Sequence, residues 1–279
     1  TGASGFTGRY LASALRLQGV QVHTPDSLDL TNPESIAHAL RSVRPTAVIH
    51  LGAISFAAHG DSAGYYQTNT LGTLNLLQAI NEESLDLSHF VFASTAAVYG
   101  DQGLALLDEG LTPNPASDYG VSKLSAEHLV RLHSKADSTV IFRPFNYTGI
   151  GQPAHFIIPK LVSHYAQRKP AIELGNIDVA REFNDVRWAA EAYVAALSYQ
   201  GKFATLNLCT GRPHSLRSVM AILKDITSHE PEMQVNAEFV RSNDLPSLAG
   251  DPKKLNAAFE LPSTIDLENT LRWMCDHYA

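Results

Sequence analysis

A chain of 279 residues with 44% hydrophobic side chains can bury a large core, as one α/β unit or two unequal lobes, which excludes a disordered segment. Its charged residues, 18% of the total, are dispersed, and a formal net charge of −7 speaks against nucleic acid or an anionic membrane as partner. Cys209 and Cys275 stand far apart with no neighbour at metal or redox spacing, which reads as two reduced, buried thiols in a cytoplasmic protein. No run of about 18 apolar residues and no signal peptide is visible, so no membrane span is expected.

In chain order, a glycine-rich turn opens the sequence, and a helix follows with Leu11, Ala14 and Leu15 on one face and Gly19 as its stop. Residues 20–23 can form a short strand. Thr31 and Glu34 make a capping-box signature around Pro33, starting a helix that runs to about Val43. Residues 47–51 read as a buried strand, 68–80 as part of a long helix, 90–94 as a strand, 119–135 as a helix and 139–142 as a strand. Five strand–helix alternations of this kind predict a parallel sheet wrapped by helices, an α/β Rossmann-type doubly wound fold over residues 1–146. Past residue 146, glycines and prolines punctuate shorter helices near 159–167, 187–199, 215–228 and 265–277. Residues 147–279 are expected to form mainly a smaller substrate-binding lobe, with segments returning to the sheet and a cleft between the two parts.

Gly2, Gly5 and Gly8, three apart before a helix, are a variant of the dinucleotide fingerprint, in which glycines let the backbone approach a pyrophosphate at a helix N-terminus. A turn that merely needs glycine conformations is the competing reading. The fingerprint ordinarily follows a central strand, so several residues are expected to precede Thr1. Tyr119 and Lys123, four apart, project from one helix face, where a lysine ammonium is expected to lower a phenol pKa that starts near ~10. Upstream, 90–94 ends in hydroxyls at the carboxyl edge of the sheet, where Thr95 can donate a hydrogen bond to a substrate oxygen.

Glycines 2, 5 and 8, the stretch Ala93-Ser94-Thr95-Ala96-Ala97-Val98-Tyr99-Gly100, Tyr119-Gly120-Val121-Ser122-Lys123 and Arg143-Pro144-Phe145-Asn146 together resemble the extended short-chain dehydrogenase/reductases over nearly the whole chain. The resemblance implies an NADP or NAD cofactor, with Tyr119 as proton donor or acceptor, Lys123 on the nicotinamide ribose and Thr95 on the substrate oxygen. It further implies cofactor contacts from Gly2, Gly5, Phe6, Thr7 and Gly8 in the turn, and from Leu51, Gly52 and Ala53 after the second strand. Asn69 falls where the superfamily has an asparagine opening a long helix, and Pro144 and Phe145 complete the cofactor side. Asp29, beside Leu30, is the nearest acid for a ribose hydroxyl, whereas Arg9 offers a partner for a 2′-phosphate, so the choice between NADP and NAD stays open.

The C-terminal half looks most like the GDP-mannose branch of that superfamily, in residues 143–152, 175–186 and 241–246. By this likeness Asn146, Val179, Arg181, Arg241 and Asp244 line a nucleotide-sugar cleft, and arginine forks suit a diphosphate. Dehydratases of the branch carry an acid just after the threonine. This chain has Ala96 and Ala97 there, which cannot move protons, so dehydration is disfavoured. The expected reaction is reduction of the C4 keto group of GDP-4-dehydro-6-deoxy-D-mannose to GDP-D-rhamnose. A nucleotide-sugar 4-epimerase with tightly held NAD uses the same residues and is the alternative, and a non-catalytic NAD(P) sensor is an alternative of another class. The twelve histidines show no ligand spacing, so no metal is expected. Likeness to the family predicts a homodimer built from the 68–80 and 119–135 helices.

Overall fold

The apolar stripe after the glycine turn becomes α1 (Phe6–Leu17), which buries Leu11, Ala14 and Leu15 as their spacing demands. Residues 1–25, 28–55, 62–104, 106–236 and 247–278 are described by the computed structural model. After α1 come α2 (Pro33–Val43), β1 (Ala47–His50), the single-turn α3 (Ser62–Tyr65), a π-helical segment Tyr66–Leu71 and α4 (Gly72–Glu82). Then follow β2 (His89–Ala93), a 3-10 turn Ala96–Val98, α5 (Asp118–His133), β3 (Ser138–Pro144) and β4 (Tyr147–Thr148). The chain continues through α6 (Ile157–Ala166), β5 (Ala171–Leu174), β6 (Ala180–Glu182), β7 (Asn184–Asp185), α7 (Val186–Ala195) and β8 (Phe203–Leu208). It ends with β9 (Pro213–Ser215), α8 (Leu216–Thr227), β10 (Glu232–Val235), β11 (Ser247–Leu248), α9 (Lys253–Ala258) and α10 (Leu267–Asp276).

β1, β2, β3 and β8 form one parallel sheet in that order. Alternate side chains of its strands feed the core on both faces of the sheet. Val91, Val140 and Phe142 pack with α1 and α7, while Phe90, Phe92 and Ile141 pack with α2, α4 and α5. Helices on both faces confirm the doubly wound architecture, and the strands read as continuous apolar runs for that reason. The fourth strand, β8, comes from beyond residue 146 and pairs with β3 along Thr139–Pro144.

Two local expectations change. Residues 20–23 make no strand: among the described residues none supplies them with a ladder of hydrogen bonds. Thr1 pairs with the carboxyl end of β1, its amino group donating to Ile49 O (2.9 Å) and its carbonyl accepting from Leu51 N (3.3 Å). The cap of α2 is Asn32, not Thr31: Asn32 Oδ1 accepts from the N–H groups of Glu34 and Ser35 at 3.0 and 3.3 Å. Pro33 takes the first helical position, where a missing N–H costs nothing, and so moves the cap one residue on.

A second core gathers Ile158, Leu161, Leu223, Leu271 and Met274 from α6, α8 and α10. β4 pairs with β7 and β6 lies between β9 and β11, which brings the chain after residue 146 beside the chain around residue 184. Asn184 N donates to Asn146 O at 2.9 Å across that junction.

Candidate active site

Thr95 leaves β2 in an extended conformation and caps the following 3-10 turn, its Oγ1 accepting from Ala97 N at 3.2 Å. α5 starts at Ser117, whose Oγ accepts from Gly120 N, and packs tightly on that turn: a Cβ at Gly120 would lie 2.8 Å from Ala97 O. This close approach brings the Tyr119 phenol into hydrogen-bonding contact with Thr95. Tyr119, Lys123 and Glu127 follow one another at four-residue intervals on one face of α5. Lys123 is only 2% exposed, with its Nζ 4.3 Å from the centroid of the Phe92 ring.

The electrostatics depart from the expectation of a phenol acidified by lysine. Burial pushes Tyr119 up to about 12, and the Thr95 hydrogen bond opposes this only in part. Burial also brings Lys123 down to about 7, with Glu127 pulling the other way. Desolvation wins at both groups because each is charged in only one of its states and neither has a direct ion-pair partner. A lysine held near 7 is partly neutral at that pH, and so exerts little pull on the phenol.

The turn before α1 has the form of a phosphate cradle. Gly2 has φ +70°, and a Cβ at Gly8 would sit 2.2 Å from Gly2 O and 2.6 Å from Ala3 Cα. Gly5 stands at the N-cap with no side-chain cap, so the first-turn N–H groups of Phe6, Thr7 and Gly8 are left for a ligand. Thr7 Oγ1 lies 2.8 Å from Tyr147 Oη, and the Phe6 and Tyr147 rings stack at 6.2 Å.

Leu51, Gly52 and Ala53 form the neighbouring wall, with Gly52 N donating to Thr1 Oγ1 at 3.1 Å. His50 beneath them is fully buried, its Nδ1 2.6 Å from Thr1 Oγ1 and its Nε2 3.0 Å from Thr73 Oγ1. Because Thr73 gives its own proton to Asn69 O (2.6 Å), His50 Nε2 is the donor to Thr73. Burial and the Lys123 charge hold His50 well below the usual histidine range, so it is neutral.

Asn69 belongs to this wall, although it lies inside the π-helical segment and does not open the long helix. Its side chain bonds both backbone groups of Ile54 and donates to Ser122 Oγ at 3.1 Å, tying the 51–54 loop to α5. Asp29 is exposed and accepts from Thr31 N and Thr31 Oγ1 (2.8 and 2.7 Å), which lowers its pKa. Leu30 is buried against Gly72. Arg9 Nη2 donates to Gly151 O at 3.2 Å. Pro144 ends β3, and the Phe145 ring is buried with Tyr99 and Cys209, leaving backbone as what it can offer a cofactor.

On the substrate side, Asn146 is exposed at the junction of β4 and β7, and Arg181 lies on β6, half-buried, its Nη1 donating to Ala180 O at 2.8 Å. Val179 is buried in the second core, where its carbonyl accepts from Leu216 N. Arg241 and Asp244 lie outside the described residues.

Sequence reasoning missed the group that ties these parts together. Glu127, 1% exposed, accepts from Ser94 Oγ (2.6 Å) and Arg143 Nε (2.9 Å) through Oε1, and from Arg143 Nη2 (2.7 Å) through Oε2. The Arg143 guanidinium lies 4.9 Å from the Tyr99 ring centroid, and Tyr99 Oη donates to Asn207 Oδ1 at 2.6 Å. Breaking one side of such a buried pair typically costs about 3–5 kcal/mol. The third member of the Tyr119, Lys123, Glu127 spacing was the available signal.

Residues 1–209 match the model of the NAD dependent epimerase/dehydratase family. The GDP-6-deoxy-D-talose 4-dehydrogenase of Aggregatibacter actinomycetemcomitans is 36% identical over 91% of this chain and 88% of its own length. The GDP-6-deoxy-D-mannose reductase of Pseudomonas aeruginosa is 33% identical over 98% and 93%. The solved structure of RMD from Pseudomonas aeruginosa complexed with NADPH superposes with a TM-score of 0.88 at 31% identity, covering 100% of this chain and 97% of that one.

Proposed function

This chain belongs to the NAD dependent epimerase/dehydratase family, and on that footing we propose that it reduces the C4 keto group of GDP-4-dehydro-6-deoxy-D-mannose, giving GDP-D-rhamnose. The observation that carries the reading is the Tyr119 phenol set against Thr95 and beside Ala96 and Ala97, where the residues after Thr95 are not acids. The two carboxylates on α5 nearest Tyr119 in sequence are committed: Asp118 to Ser62 Oγ and Tyr66 Oη, and Glu127 to Ser94 and Arg143. Elimination of a hydroxyl needs an acid/base pair, and among the described carboxylates of α5 none is left free for it.

A nicotinamide dinucleotide is the cofactor, and when bound it supplies the hydride for the keto carbon. The glycine turn and the open first turn of α1 would hold its pyrophosphate, the wall at 51–53 its adenosine side, and Lys123 the hydroxyls of its nicotinamide ribose. Tyr119 gives its phenolic proton to the substrate oxygen as charge develops there, and Thr95 donates a hydrogen bond to the same oxygen. An alkoxide is a far stronger base than a phenolate, so this transfer runs downhill even from a phenol raised to about 12. Asn146 and Arg181 would line the nucleotide-sugar side, whereas Val179 is held in the core with its carbonyl taken by Leu216 N. The 36% identity to a 6-deoxy-D-talose 4-dehydrogenase favours a second reading that differs only in the configuration set at C4.

One assay tests the assignment. The protein with GDP-mannose alone is expected to form no 4-keto product; with a separate dehydratase and NADPH or NADH it is expected to form a 6-deoxyhexose equimolar with cofactor oxidised. The coupling pattern of H4 in the product distinguishes rhamnose from 6-deoxytalose. Unaided dehydration of GDP-mannose refutes the reading, and interconversion of a UDP-hexose at C4 without net oxidation replaces it with an epimerase.

A further inference from the structure

Three parts of the proposed machinery sit on three separate elements: Thr95 after β2, Lys123 on α5, and the 144–146 stretch at the end of β3. Glu127 touches all three elements at once. Its two oxygens take hydrogen bonds from Ser94, the residue before Thr95, and from Arg143, the residue before Pro144, while its own backbone lies one helical turn beyond Lys123. The ionisable groups facing Lys123 are Tyr119 and Glu127 from its own helix and His50 from β1, with Arg143 of β3 held against Glu127. Among these, His50 is neutral and Tyr119 is protonated, so Glu127 supplies the negative charge opposite the ammonium.

We propose that Glu127 is a positioning residue of this site: it holds the strand end that presents Thr95 through Ser94, and its carboxylate is the negative charge set one helical turn from Lys123. The proposal rests on the roles given above to Thr95 and Lys123. Its two halves are separable, since Ser94 links only to the position of Thr95 and the carboxylate charge acts on Lys123. Burial alone lowers the proton affinity of Lys123, and Glu127 is the opposing influence.

The test uses the whole chain and needs no substrate for its main readout. The dissociation constant for NADPH, or NADH if that binds better, is measured by quenching of protein fluorescence across roughly pH 6–10. Wild-type binding is expected to weaken on the alkaline side as Lys123 loses its proton, and Lys123→Met is expected to abolish that dependence. Glu127→Gln keeps the shape and removes the charge, and should move the midpoint of the fall about one pH unit or more toward acid, a tenfold loss of proton affinity.

Ser94→Ala keeps the charge, so it should leave the midpoint in place while lowering kcat about tenfold with the cofactor KM unchanged. If Glu127→Gln does not fold, Glu127→Asp keeps the charge but shortens its reach to Ser94 and Arg143, and is expected to leave the midpoint near wild type while lowering kcat. A Glu127 variant that melts earlier yet keeps the wild-type midpoint would show a merely structural ion pair and overturn the charge half. Unchanged kcat in Ser94→Ala overturns the other half. A pH dependence that survives Lys123→Met instead removes the role given to Lys123, a failure of the functional reading itself.

Discussion

Asn69 grips Ile54 by both ends of its amide, Oδ1 accepting from Ile54 N at 2.8 Å and Nδ2 donating to Ile54 O at 3.0 Å. The same Nδ2 reaches Ser122 on α5, so one buried side chain couples the 51–54 loop to the helix of Tyr119 and Lys123. Asn69→Asp keeps the acceptor and loses both donors, leaving two polar partners short at about 1–3 kcal/mol each. The expected outcome is a lower Tm and cofactor binding weakened about tenfold or more, read by calorimetry and fluorescence titration. Unchanged affinity would remove Asn69 from the cofactor wall.

Tyr119→Phe deletes a proton and a hydrogen bond to Thr95 but little contact area. Turnover should fall about 10²–10⁴-fold, with cofactor affinity close to wild type. Retention of wild-type kcat in steady-state assays would end the assignment of Tyr119 as the acid.

The buried ammonium of Lys123 links stability to pH with a definite sign. Folded, it releases its proton near 7; unfolded, near ~10.4, so between these values the unfolded chain binds the extra proton. Stability from this group therefore rises as pH increases across that window. Lys123→Met should flatten the rise in Tm between about pH 7 and 10 and stabilise the cofactor-free protein most at the low end. Equal slopes for mutant and wild type in differential scanning calorimetry would contradict a desolvated Lys123.

Gly8→Ala places a methyl against the carbonyl of Gly2, 2.2 Å away, where backbone and not a flexible side chain must yield. The turn would have to open and lose its fit to a pyrophosphate. Cofactor binding should become undetectable at concentrations that saturate wild type, whereas far-ultraviolet circular dichroism should stay near native. Full affinity in the variant would mean that the turn binds no phosphate.

The proposed homodimer through α4 and α5 predicts a single species of twice the chain mass in sedimentation velocity at micromolar concentration. Leu132 at the end of α5 is 76% exposed and Leu71 just before α4 is 51% exposed in the single chain, and burial of both is the expected result of that pairing. A monomer throughout that range rejects the arrangement.

Local pattern made most of this legible. Apolar runs at 47–51, 90–94 and 139–142 read as buried strands, and the stripe of α1 needed one buried side. Gly2, Gly5, Gly8, Thr95, Tyr119 and Lys123 were visible because each works through a short spacing that a helix or a tight turn converts directly into geometry. The segment 20–23 differs for the complementary reason: its composition suits a strand, but a strand exists only with a partner, and none of the described strands pairs with it.

What tertiary structure alone decided concerns groups whose meaning is set by distant neighbours. Glu127 reads in sequence as an ordinary helix-surface charge; the fold carries it against Ser94 and Arg143, 33 and 16 residues away. The signs of the Tyr119 and Lys123 shifts were likewise undetermined by their spacing. Four residues on a helix specify how far apart two side chains stand, but not how much water surrounds them, and it is the loss of water that sets both proton affinities.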